Sequence, residues 1–224
     1  MTAGPMRLYD TQRSGNAWKV RLLAGFLGMP LERVTLSIDC GDLRTPGFGA
    51  VSPLRQVPVL ELDDGRTVFE SLAILSWLAE GTAWLPRDTY ERAHVFSWMS
   101  FEQTQHMHPL AQLRLHLALH PGRPLPLERL YEWRAQGEAA LAVLDRVLTE
   151  QGADGWFTTK RHPSIADVAL YPYTRLSVMG GLAPRRSAAI ARWLDRFEAL
   201  PGYEPLFPGR PDLTESAVET RHDG

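Results

Sequence analysis

The chain has 224 residues, enough for one large domain or two small ones, with the 44% hydrophobic and 22% charged residues of an ordinary soluble globular protein. A net charge of −2, with Lys and Arg scattered rather than gathered in a stripe, argues against a nucleic-acid or anionic-membrane partner, and one cysteine, Cys40, excludes an intrachain disulfide or a cysteine metal cluster. The first residues lack a signal-peptide pattern and no run approaches the roughly 18 apolar residues of a membrane span, so the expected location is the cytoplasm.

Mixed α and β structure is expected over the first eighty residues. Arg7–Asp10 reads as a short strand, followed by a polar turn over Thr11–Gly15. Ala17, Val20, Leu23, Ala24 and Leu27 recur at helical spacing and predict a helix from about Asn16 to Gly28, with Gly28 and Pro30 stopping it. Glu32–Ile38 alternates like a strand, and the Gly- and Pro-rich stretch Asp39–Pro53 reads as irregular. Val59–Leu62 and Thr67–Phe69 flank Asp63-Asp64-Gly65, a hairpin signal, and a helix over Ser71–Glu80 carries Ile74, Leu75, Trp77 and Leu78. The order β-α-β, β-β-α implies a small sheet with helices packed on it.

Beyond a linker no strand is expected. Thr89–His120 and Leu127–Gln151 read as long helical segments, parted by the breaker His120-Pro121-Gly122-Arg123-Pro124. Ser164–Met179 and Ser187–Leu200 read as two more, and Ile190, Trp193, Leu194 and Phe197 form the cleanest amphipathic stripe in the chain. The polar tail from Pro208 is expected to fray or to lie over the surface.

Four local runs, in order along the chain, carry a family resemblance. Arg13-Ser-Gly-Asn-Ala-Trp-Lys-Val-Arg-Leu22 resembles the strand-to-helix turn of bacterial glutathione transferases of the cytosolic type. Ser52-Pro-Leu-Arg-Gln-Val-Pro-Val-Leu60 resembles their Asn-Pro-x-Gly-Gln-Val-Pro-Val-Leu segment. Glu70-Ser71 opens a helix as Glu-Ser-x-Ala-Ile-Leu, and Ser164-Ile-Ala-Asp167 matches the capping segment of the second domain. The resemblance implies a thioredoxin-like α/β domain over residues 1–81, a linker over 82–88, and an all-α helical bundle over 89–224 that lines an apolar substrate pocket. It also implies a homodimer.

All the candidate site residues but Arg44 lie in these runs. Ser14 precedes a helix, where free N–H groups and the positive dipole end stabilise an anion. Taken alone it is a helix cap; the resemblance implies that it donates a hydrogen bond to the thiolate of glutathione, with Asn16 as a second donor. Val57-Pro58 is either an ordinary trans proline at a strand start or the family's cis-proline, which would turn the Val57 main chain toward a peptide ligand. Glu70 accepts from an ammonium while Ser71, at a helix start, holds a carboxylate, so the pair suits the γ-glutamyl end of glutathione. Gln56 is a further contact. Arg44 falls where relatives place a basic residue for the glycyl carboxylate, or is a solvated surface arginine.

Ser164 and Asp167 read as a capping box with a folding role. The histidines 106, 108, 116 and 120 lack a carboxylate at ligand spacing, so no metal is expected, while His106 resembles a pocket-lining position. Serine at 14 disfavours the mixed-disulfide chemistry of cysteine-bearing branches, and Arg55 replaces the usual small residue before Gln. The expected activity is attack of the glutathione thiolate on an apolar electrophile such as an activated halide, epoxide, unsaturated carbonyl or peroxide. A glutathione-dependent disulfide reductase or peroxidase, a non-catalytic binding protein of the same fold, and an isomerase or dehalogenase using glutathione as a cofactor are the alternatives.

Overall fold

The computed structural model describes residues 6–207; the tail expected from Pro208 lies outside them. The chain divides into two compact units, one running to Glu80 and taking in the segment that starts at Leu200, the other spanning Gly81–Ala199.

The first unit contains β1 (Arg7–Asp10), α1 (Gly15–Phe26), β2 (Glu32–Thr35), α2 (Pro46–Val51), β3 (Val59–Glu61), β4 (Thr67–Phe69) and α3 (Ser71–Ala79). The sheet order is β2-β1-β3-β4, with β2 parallel to β1 and both pairs made by β3 antiparallel. Leu8 on the central strand faces Leu60, and both are fully buried beside Val20, Leu23, Ile74 and Leu75 of the packed helices α1 and α3. Each such side chain contributes about 1.5–3 kcal/mol on burial. The hairpin turns where expected: Gly65 takes φ 84° and Leu62 N–H donates to the Arg66 carbonyl.

Two expectations for this unit need correcting. β2 stops at Thr35 rather than Ile38, because the next residues turn to local side-chain bonds. Asp42 accepts from the Ser37 N–H at 2.8 Å and Ser37 Oγ from the Cys40 N–H at 3.1 Å, which draws the backbone off the ladder. The stretch expected to be irregular contains a 3₁₀ turn, Asp42–Arg44, and the six-residue helix α2. Glycines 47 and 49 hide its periodicity. Thr45 caps it through the Phe48 N–H, Pro46 preorganises its first position, and buried Phe48 anchors it near Tyr9.

Among its described residues the second unit has helices and loops but no strand; its α-helices are α4 (Thr89–Phe101), α5 (Met107–Arg114), α6 (Leu127–Gln151), α7 (Ile165–Leu176) and α8 (Ala188–Glu198). The segment expected as one helix over Thr89–His120 is interrupted by π-helical turns at Glu102–His106 and Leu115–Leu119. Pro109 lacks an N–H, and in a regular helix its ring would meet the carbonyl four residues earlier; the first wide turn precedes it. The capping box on α7 forms as expected, with Asp167 fully buried. The stripe on α8 is buried and Phe197 stacks on Tyr171 at 4.1 Å. Among the described residues no helix is long and apolar enough to cross a membrane.

Candidate functional site

The turn from β1 into α1 is built around charge. Asp10 is fully buried and accepts from Arg33 at 2.8 Å, with Arg21 at 3.5 Å. Burial pushes the Arg21 guanidinium down to about 10, opposed by the Asp10 charge. Arg21 also donates to the Gln12 carbonyl, and the Gln12 amide donates to the Leu206 carbonyl at 2.9 Å. The returning segment from Leu200 thus braces the turn that ends in Ser14. Ser14 caps α1: its Oγ accepts from the Ala17 N–H at 3.1 Å, so its own proton is available for an acceptor. Asn16 follows in the first helical turn, and its Oδ1 is buried without a hydrogen-bond partner. An unmet buried acceptor costs about 1–3 kcal/mol, an arrangement expected where a ligand supplies the donor.

A second wall comes from the segment before β3. Buried Ser52 closes the turn by accepting from the Gln56 N–H and donating to the Gln56 carbonyl. The Val57–Pro58 peptide is cis, as the resemblance implies. The third wall is the entry into α3. Glu70 holds a left-handed φ of 68°, and Ser71, 2% exposed, is the first residue of the helix.

These walls enclose a recess of about 30 Å³. Asn16, Gln56, Val57, Pro58, Glu70 and Ser71 all line it, so six of the eight candidate residues come together from three separate segments. Ser14 and Arg44 do not line it. Ser14 sits at the same helix end as Asn16, and Arg44 stands exposed at the end of the 3₁₀ turn. Ser52, Leu54 and Phe69 complete the wall and were not anticipated as site residues; each lies inside or beside a quoted run, and that adjacency was the available signal. The recess presents an unpaired acceptor, a carboxylate at Glu70, and the positive end of α3 at Ser71. Opposite charges at that spacing suit a free amino-acid head group.

His106 is a core position. It is fully buried, and its Nε2 lies 2.9 Å from Thr174 Oγ1. That hydroxyl donates to the Leu170 carbonyl, so the ring nitrogen is the donor of the pair. Trp156 is buried, and Trp98, Phe101 and Trp133 are half-buried.

A βαβ–ββα sheet unit followed by an all-helical unit defines a thioredoxin-like domain joined to a helical domain. The model of the glutathione S-transferase N-terminal domain matches residues 13–80. Glutathione S-transferase theta-3 of Mus musculus is 30% identical over 211 residues, covering 90% of this chain and 85% of the relative. Maleylacetoacetate isomerase of Pseudomonas aeruginosa is 28% identical over 220 residues, covering 95% of this chain and 100% of the relative. The crystal structure of a glutathione S-transferase from Pseudomonas fluorescens Pf-5 superposes with a TM-score of 0.84 at 35% identity, covering 91% of this chain and 100% of that one. The chain belongs to the glutathione transferase family.

Proposed function

We propose that this protein binds glutathione in the recess and activates its thiol for attack on an apolar electrophile. The observation that carries the reading is the convergence on one recess of the unpaired Asn16 Oδ1, the Glu70 carboxylate and the buried Ser71 at a helix start. In this reading Glu70 accepts from the γ-glutamyl ammonium and Ser71, with the first N–H groups of α3, holds the adjacent carboxylate. Gln56 and the Val57 main chain contact the peptide, and Arg44 receives the glycyl carboxylate. Ser14, its oxygen already fixed by the Ala17 N–H, donates to the sulfur, with the Asn16 amide nitrogen as the second candidate, since the unpaired Asn16 Oδ1 can only accept from a ligand N–H. The positive end of α1 lowers the thiol pKa, so the thiol proton goes to solvent and a thiolate remains. A sulfur–carbon bond then forms as the leaving group departs with its electron pair. The protein supplies proximity and anion stabilisation, not a covalent intermediate.

Isomerisation with glutathione as a recycled cofactor is the second reading, supported by the full-length match to a maleylacetoacetate isomerase; recovery of glutathione unchanged after turnover distinguishes it. A homodimer belongs to the first reading on the family resemblance alone, and light scattering tests it; a detoxifying role in the cytoplasm belongs to the same reading, the location resting on the sequence pattern. The primary test is calorimetric titration of glutathione and S-hexylglutathione into wild type and Ser71→Ala. Saturable binding that weakens about tenfold in the variant is expected from one lost contact to a charged group. No binding of either ligand at millimolar concentration refutes the proposal.

A further inference from the structure

Arg55 stands where the resembling segments carry a small residue, and its backbone explains the usual choice. Its φ of 52° lies in the left-handed region, which suits glycine and strains an L side chain. Among the described residues, Arg55 and Glu70 are the non-glycine residues held at positive φ. Glu70 lines the recess, and Arg55 lies between Leu54 and Gln56, which line it too. Strain of this kind persists where the surroundings over-determine it.

Here the surroundings are hydrogen bonds made by the Arg55 side chain. Its Nη1 donates to the Arg44 carbonyl at 2.7 Å and to the Thr45 carbonyl at 3.1 Å. Thr45 is the cap of α2, so one guanidinium ties the turn over Ser52–Gln56 to the entry into that helix. Gly49 supplies the room: a Cβ there would lie 2.7 Å from Nη2 and 2.9 Å from Cζ. The main chain of Arg44 is therefore fastened while its own side chain is exposed, with no partner among the described residues.

We propose that Arg55 is a positioning residue that fixes the Arg44 cation for the glycyl carboxylate of glutathione. The inference rests on the glutathione reading above and deepens it. α2 itself is anchored by buried Phe48 and runs straight into Ser52 of the recess wall. Without the clamp, however, the Arg44 and Thr45 carbonyls at its entry lose their side-chain donor, and Arg44 would sample more positions before meeting a carboxylate. With it, part of the ordering is complete before the ligand arrives. Arg55 touches no ligand atom in this scheme; it acts through the main chain of Arg44.

Calorimetry with two ligands tests the idea: glutathione, and γ-glutamylcysteine, which lacks the glycyl residue. Arg55→Gly relieves the backbone and removes the guanidinium. Gly49→Ala leaves Arg55 in the chain but displaces its guanidinium, while alanine favours the helix. Both variants are expected to weaken glutathione about tenfold and to leave γ-glutamylcysteine within about twofold of wild type, because only the glycyl carboxylate contact is lost. Arg55→Lys, which keeps a donor but not the fork, should fall between. Hydrogen exchange across residues 42–51 of the unliganded protein should quicken in Arg55→Gly. Unchanged glutathione affinity in both variants, an equal loss for both ligands, or unchanged exchange each overturns the inference. Wild type that binds neither ligand refutes the glutathione reading itself, and the exchange measurement still judges the clamp independently.

Discussion

Replacing Asp167 is the sharpest test of how the helical unit is held. The carboxylate is fully buried and accepts four hydrogen bonds: from the Ser164 N–H at 2.9 Å, Ser164 Oγ at 3.2 Å, the Phe157 N–H at 3.2 Å and Trp193 Nε1 at 3.1 Å. One side chain thus joins the cap of α7, the loop before it and the core of α8. Asp167→Ala leaves three N–H donors buried without an acceptor, each worth about 1–3 kcal/mol, partly offset because no charge is then desolvated. A net loss of about 4 kcal/mol is expected at neutral pH, or roughly 8–16 °C in melting temperature for a chain of this size. Asp167→Asn keeps one oxygen, which can serve either the Phe157 and Trp193 donors or the Ser164 N–H. Its amide then points donor to donor at the other, so a loss of about 2–3 kcal/mol remains. Urea denaturation followed by tryptophan fluorescence reads both, with Trp193 as a local probe. An Asn variant as stable as wild type would show that the acceptor network does not hold the unit together.

Three other outcomes are expected. Burial raises the Asp167 carboxyl above its ordinary value of 3.8, its hydrogen bonds opposing without cancelling. A raised acid binds its proton more tightly in the folded chain, so its contribution favours folding most below about 3.8 and is lost as pH rises through the folded value. The stability gap between wild type and Asp167→Asn should therefore be wider at pH 4 than at pH 7, and a gap that grows with pH would reverse the sign of the argument. If Ser14 donates to the sulfur, Ser14→Ala should raise the pKa of bound glutathione, read from thiolate absorbance, by about 1–2 units; a larger rise in Asn16→Ala would transfer that role to Asn16. Gly25→Ala should destabilise the first unit by about 1–3 kcal/mol despite its better helix propensity, because the new Cβ would lie 2.4 Å from the Gly202 carbonyl oxygen. Equal melting temperatures for wild type and this variant would show that the returning segment yields freely.

The secondary structure was legible wherever one residue type dominates a local choice. The hairpin follows from Gly65 at a position with φ 84°, and the start of α7 from a serine and an aspartate three residues apart. It was not legible where side chains divert the main chain. The ends of β2 and α2 are decided by Ser37, Asp42 and Thr45, whose bonds to neighbouring N–H groups outweigh strand alternation and the presence of two glycines. The first wide turn in the long segment falls on Glu102-Gln-Thr-Gln-His106, which carries no apolar residue, so the hydrophobic pattern has nothing there to reveal the change of helical phase.

The site divides along the same physical line. Asn16, Gln56, Val57, Pro58, Glu70 and Ser71 lie in short contiguous runs at element ends, and the β1–α1, α2–β3 and β4–α3 connections bring those runs to one recess. What orders the runs is non-local. Leu206 lies 194 residues from Gln12, and Arg55 reaches back ten and eleven residues to the carbonyls it holds. Main-chain carbonyls carry no residue identity, so such contacts leave no mark on the sequence of the acceptor. The donor can leave one: a bulky cation where a small residue is usual. At Arg55 that departure coincides with a left-handed backbone that glycine would adopt without strain, and the strain is opposed by hydrogen bonds glycine cannot make. An unexpected side chain at a glycine-like position therefore identifies what it grips, here the main chain of the exposed Arg44.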